Sequence, residues 1–241
     1  MMALSIRLTG KSFGKTPVLG AIDLDIPTGQ VATLLGPSGC GKSTLLSLIA
    51  GLDDDYQGDI TLDGDQAAMV FQAPRLLPWR TLVENIALVP GAGGQKRARS
   101  LLERVGLSSS ADQFPQKVSL GMQRRASLAR ALAVRPALIL MDEPLVSLDA
   151  ETAASMRALI TETLEESGTT ALIATHDRRE ALHLSDRIIA LGGSPTTIVN
   201  DRLSPLTAEQ RRDPALVEAL HAEWFGMAAD AKVESKAGTG I

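Results

Sequence analysis

Eight consecutive residues, Gly36, Pro37, Ser38, Gly39, Cys40, Gly41, Lys42 and Ser43, fit the pattern G-x-x-x-x-G-K-[ST] at every position. A segment of this kind cradles phosphate. Its glycines let the backbone curl until successive N–H groups point inward at phosphate oxygens. Lys42 neutralises the outer phosphates, and the Ser43 hydroxyl is suited to ligating Mg²⁺. Cys40 is the chain's single cysteine, so it has no disulfide partner within the chain and reads as a small filler of the loop. A helical pattern, Thr44–Ala50, follows and is closed by Gly51, which brings the positive end of a helix to the same phosphates. The expected ligand is a nucleoside triphosphate.

Hydrolysis of such a ligand needs a carboxylate for the metal and a second one for water. Both stand in Leu138-Ile-Leu-Met-Asp142-Glu143, at the end of an apolar run. Asp142 is expected to hold Mg²⁺, directly or through water, and Glu143 to polarise the attacking water.

A sheet must bring these loops together. Val31–Leu35, Ala137–Met141, Thr170–Ala174 and Arg187–Leu191 are short apolar runs separated by helical stretches such as Ala150–Ser167, the pattern of a parallel α/β sheet. Alternation at Leu4–Leu8 and Ile22–Ile26 predicts two further strands around a turn at Gly14–Pro17, an antiparallel β edge beside the nucleotide core. From about 74 to 134 the chain shows helical periodicity instead, at Thr81–Leu88, Gln95–Val105 and Leu120–Val134, with breaks at Pro90–Gly94 and Ser108–Pro115. The expected architecture is one domain: a core from 1–73 and 135–200, a helical subdomain at 74–134, and a C-terminal segment at 201–241. That last segment reads as a helix at Pro214–Phe225 and a small, polar, disordered tail from Ala228.

Composition limits the partners. The 241 residues are 44% hydrophobic, ample for a packed core, and the net charge of −4 gives no basic surface for nucleic acid. Met1–Gly10 has no apolar signal core, and no apolar run is long enough to span a bilayer. The expected location is therefore cytoplasmic, free or peripheral to a membrane.

Further motifs resemble those of ATP-binding cassette (ABC) ATPases, in the family's order, across about residues 4 to 200. Gln72, in Met69-Val-Phe-Gln-Ala-Pro, resembles the Q-loop glutamine that meets Mg²⁺ and the attacking water. Val118-Ser-Leu-Gly-Met-Gln-Arg-Arg125 resembles the signature motif, whose Ser119 and Gly121 would contact the γ-phosphate held by a second subunit. Ser147-Leu-Asp149 is similar to the D-loop, His176 to the switch histidine, and Phe13 to the aromatic that stacks on adenine. The resemblance implies a P-loop NTPase (RecA-like) core. It also implies an ATP site made of Phe13, Gly36 through Thr44, Ser119, Gly121 and Asp149. Glu143, His176 and Gln72 would be catalytic, and Ser43, Gln72 and Asp142 would hold the metal.

The signature departs from the family pattern at Leu120 and Met122. Leu120 either hinders approach of the backbone to phosphate or points into the helical subdomain. The stretch Leu76-Leu-Pro-Trp79 is similar to a segment in importer ATPases for nitrate, taurine and sulfonates, where this region helps receive a coupling helix of the permease. Leu76, Leu77 and Trp79 are expected either to form an exposed docking patch there or to pack locally at the entry to the helical subdomain, whereas Lys96-Arg-Ala-Arg99 reads as a solvated helix face. The resemblance implies a homodimer, or a heterodimer with a sister cassette, beneath permease subunits on the cytoplasmic face of the inner membrane, served by a periplasmic solute-binding protein. An exporter or lipid-trafficking ATPase, or a non-transport cassette, stays open as an alternative.

Overall fold

The computed structural model describes residues 1–64, 67–89 and 93–226. The expected Pro90–Gly94 break falls largely, and the tail from Ala228 wholly, outside them. Two sheets organise the described residues. The first is antiparallel: β1 (Met2–Phe13) lies between β2 (Thr16–Leu19) and β3 (Ile22–Pro27) and also pairs with β5 (Gln57–Leu62). The second contains β4 (Val31–Leu35), β6 (Ala67–Val70), β7 (Leu138–Asp142), β8 (Thr170–Thr175), β9 (Arg187–Gly192) and β10 (Thr197–Leu203). Its order is β10-β9-β4-β8-β7-β6, parallel throughout except for β10. The first strand is longer than its alternation predicts, and Thr16 and Pro17, expected in a turn, begin β2; the turn itself is Gly14-Lys15.

Alternate residues of the parallel strands feed two large cores, and Leu35 and Ile188 feed a smaller third one. Ala32, Leu34, Leu138, Leu140, Leu172 and Ala174 face one side, with Leu4, Ile6, Leu24 and Ile26 of the antiparallel sheet and Leu45, Leu46 and Ile49 of α1 (Lys42–Ile49). Ile139, Met141, Ala171 and Ile173 face the other, where helices cover them. Those helices are α2 (Leu82–Ala87), α3 (Gly94–Arg104), α4 (Leu120–Leu132) and α5 (Ala150–Ser167). Burial on both faces explains why these strands read as continuous apolar runs.

Local signals set the helix ends. Thr81 and Glu84 close a capping box at α2, and Ser119 caps α4 by accepting from the Met122 N–H. Asp149 caps α5 through the Thr152 N–H, and Gly168, at φ 61°, ends that helix in the left-handed conformation. Asp177 caps α6 (Arg178–Leu184), and α7 (Pro214–Phe225) starts with proline in its first turn and packs Val217 and Leu220 beside α6. None of the helices is long and apolar enough to cross a membrane, among the described residues.

Candidate active site

The loop from Gly36 to Ser43 runs from the C-terminal end of β4 into α1, at the centre of the parallel sheet. Two of its glycines are sterically required. A Cβ on Gly36 would lie 2.8 Å from Cys40 Sγ and 3.1 Å from the Leu191 carbonyl oxygen; one on Gly41, at φ 97°, would lie 2.7 Å from Leu19 Cδ2. Cys40 thus packs against the loop's own glycine. Lys42 is only 4% exposed, and its ammonium donates to the carbonyls of Gly36 (2.8 Å) and Pro37 (3.0 Å). It also faces Glu143 Oε1 at 3.5 Å.

Strand β7, two positions from β4 in the sheet with β8 between them, delivers the acids. Asp142 is its last residue, and the Ser43 hydroxyl donates to Asp142 Oδ1 at 3.0 Å, so the loop serine and the strand-end carboxylate share one place. Burial raises the Asp142 pKa, reinforced by Glu143 and opposed by the Ser43 hydrogen bond and Lys42. Glu143 itself stands at φ 47°, a left-handed conformation that a non-glycine residue adopts at a cost. Its N–H is held by the Ala174 carbonyl at 2.8 Å, which fixes the turn out of the strand. From β8 comes His176, whose Nδ1 donates to Glu143 Oε2 at 2.8 Å, the carboxylate being the acceptor. The two oxygens of Glu143 are therefore divided between Lys42 and His176.

These groups surround a cavity of about 460 Å³ lined by Phe13, Val18, Ser38, Gly39, Gly41, Lys42, Ser43, Thr44, Gln72, Glu143, Val146 and His176. Val18 and Val146 were not foreseen, because single valines in β2 and in a turn carry no chemical signal in a sequence. Phe13 is 54% exposed and leaves a ring for a ligand to meet. Gln72, in the loop after β6, is likewise exposed.

The structure does not bring Ser119, Gly121 and Asp149 to this cavity. Ser119 and Asp149 stand exposed at helix N-termini, and Gly121 is packed so closely on α5 that a Cβ would lie 2.7 Å from Thr152 Cγ2. Leu120 is 41% exposed and is not among the side chains packed on the helical core. Of the expected apolar patch only Trp79 is fully open, at 69% exposure. Leu76 packs on the helical core and Leu77 is half-buried, its backbone tied to the Asn85 side chain.

Comparison with known proteins places this site in a family. Residues 19–146 match the family described as ABC transporter. An aliphatic sulfonates import ATP-binding protein (SsuB 1) of Pseudomonas savastanoi pv. phaseolicola is 43% identical over 215 residues, covering 88% of this chain and 91% of that one. The corresponding protein SsuB of Rhodopseudomonas palustris is 42% identical, covering 92% and 82%. Among solved structures, the dimeric post-hydrolysis state of the ATP-binding cassette MJ0796, bound to ADP and Pi, superposes with a TM-score of 0.73 at 29% identity, covering 86% of this chain and all of that one. With its phosphate loop, strand-end acid pair and switch-like histidine on a matching fold, the chain belongs to the ABC transporter family as an ATP-binding ATPase subunit.

Proposed function

We propose that this chain is the motor of a bacterial importer for a small sulfonate-like anion, with Glu143 as the group that activates water. The Glu143 geometry carries the reading: a buried carboxylate in a strained turn at the cavity wall, with one oxygen toward Lys42 and the other on His176. Lys42 would neutralise triphosphate charge, at which point its present carbonyl partners are exchanged for phosphate oxygens. Glu143 accepts the water's proton and orients it, and His176 holds that carboxylate in place. Phe13 would stack on adenine.

Ser43 and Asp142 supply adjacent hard oxygens that fit Mg²⁺, a cation that takes one or two protein oxygens and completes its shell from phosphates and water. Gln72, on the cavity wall, would reach the same ion or the water. When bound, the ion supplies charge neutralisation at the outer phosphates.

Two chains would close face to face, the Ser119–Gly121 segment and Asp149 of one meeting the phosphate loop of the other; that the solved cassettes this chain resembles are dimeric supports a dimer. Exposed Trp79 suits a permease contact at the membrane's cytoplasmic face, and the relatives' printed sulfonate import supports the solute class. The decisive variant is Glu143→Gln. It should keep Mg-ATP affinity within about threefold, lower steady-state turnover by at least ~100-fold, and yield an ATP-dependent dimer on a sizing column. Turnover within about tenfold of the parent assigns water activation to another group.

A further inference from the structure

Strand β1 changes face before it reaches Phe13. Leu4, Ile6 and Leu8 point inward, but the register with β5 slips between Leu8 and Gly10, and the next buried side chain is Lys11. An ammonium thereby enters the protein: Lys11 is 3% exposed. It donates to Asp53 Oδ1 at 3.0 Å, to the Asp55 carbonyl at 2.6 Å and to Asp55 Oδ2 at 3.3 Å. Its Nζ also lies over the Phe13 ring, 4.7 Å from the centroid. Asp53 and Asp55 belong to the segment that leaves α1, the helix that begins with Lys42 and Ser43.

We infer that Lys11 is a positioning residue for the nucleotide base, covering one face of Phe13 and tying that ring to the phosphate-binding helix so that the other face is held ready for adenine. This rests on the reading of Phe13 as the adenine platform. A ring has two faces, and a cation over one leaves a planar base the other. An exposed phenylalanine at a strand end would otherwise sample several rotamers, and fixing it beforehand removes that ordering cost from binding. The charge is secure: burial pulls the Lys11 pKa down, but the hydrogen bonds to Asp53 and Asp55 outweigh it and hold the pKa above its ordinary value. Lys11 touches no phosphate-binding group among its hydrogen-bond partners, so its effect should appear at the base end of the ligand.

Calorimetric titration of the full chain with Mg-ATP and, separately, with inorganic tripolyphosphate distinguishes the two ends. Lys11→Met should weaken ATP about three- to tenfold and leave tripolyphosphate within about twofold. In a Phe13→Ala background the same change should cost ATP less than about twofold, because the platform is already gone. Asp53→Asn, which loosens the anchor without emptying the buried site, should give a smaller loss in the same direction and carries the test if Lys11→Met does not fold. Equal losses for both ligands overturn the proposal, making Lys11 a support of α1. Full ATP affinity in Lys11→Met and Asp53→Asn, when Phe13→Ala alone weakens ATP, overturns it too. No loss in Phe13→Ala itself removes the adenine platform, and Lys11's role with it.

Discussion

Glu180 shows how a residue outside the motifs can govern the ground on which they stand. It lies buried on α6, with Oε2 accepting from Thr175 Oγ1 at 2.8 Å and Oε1 without a partner. Thr175 immediately precedes His176 and also accepts from the Asp177 N–H at 3.1 Å, so this carboxyl braces the turn that presents the histidine. Burial raises its pKa from 4.5 to about 7, opposed by the Thr175 hydrogen bond, reinforced by Glu143 and Asp177, and opposed also by Arg157. A carboxyl with a higher pKa when folded binds its proton more tightly in the native state. Its contribution to stability is therefore complete below about pH 4.5 and is lost as the pH rises through about 7. Glu180→Gln cannot ionise and escapes that loss. Its stability relative to the parent, as the free energy required for unfolding, should be greater at about pH 8 than at about pH 5, by roughly 1–3 kcal/mol. The same difference at both pH values in denaturant titrations would mean that Glu180 ionises as an ordinary carboxyl. Nothing in the sequence marks this residue except its place on the first turn of a helix after a strand. The Lys42, Asp142 and Glu143 positions, in contrast, are legible, because phosphate and metal chemistry demand particular residue types at particular spacings.

At the scale of elements, the signature segment is set by packing as much as by chemistry. Gly121 sits in the first turn of α4 where that helix touches α5, with Thr152 Cγ2 in the space a Cβ would need. Gly121→Ala should therefore push α4 away from α5 and cost about 1–3 kcal/mol. Thr152→Ser deletes the opposing methyl and should recover at least half of that loss, as read from the midpoints of the single and double variants in urea. No recovery would place the strain elsewhere. The element pattern itself was only partly legible. Parallel strands announced themselves as apolar runs because both faces are buried, and the helices Leu82–Ala87, Gly94–Arg104 and Pro214–Phe225 fall where periodicity and caps put them. Strands β2, β5, β6 and β10 escaped. β5 is mostly exposed or half-buried, β10 is exposed through Leu203, and β2 and β6 have four residues each, too few for alternation to show. Half-buried Leu76 and Leu77 escaped for another reason. Asn85, itself buried, gathers the backbone of Leu77, Arg80 and Thr81 into one knot, a contact no local pattern discloses.

Among the described residues, the phosphate-loop residues, the Glu143 carboxylate and the His176 imidazole meet in one cavity, while Ser119 and Leu120 stand exposed away from it. Under the proposed face-to-face dimer a second subunit would account for both facts, since closure would bring the exposed N-terminus of one α4 to the phosphates bound by the other chain. In that setting Leu120 is the residue to watch. It is the first residue of α4, beside the Ser119 cap, and its side chain is 41% exposed instead of buried in either core. If that branched side chain lies in the path of a phosphate approaching the helix's first N–H groups, glycine would open the approach. Leu120→Gly should raise kcat about three- to tenfold, a barrier change of roughly 0.7–1.4 kcal/mol. The monomer has little packing to lose at an exposed position, and glycine's extra backbone freedom should lower stability by only about 0.5–1 kcal/mol. Steady-state ATPase and the thermal midpoint, measured on the same preparation, separate the contributions. Faster turnover with a small drop in midpoint supports obstruction at closure. Slower turnover, together with a weaker ATP-dependent dimer on the Glu143→Gln background, would show instead that Leu120 supplies apolar contact across the interface and helps to hold the two subunits together.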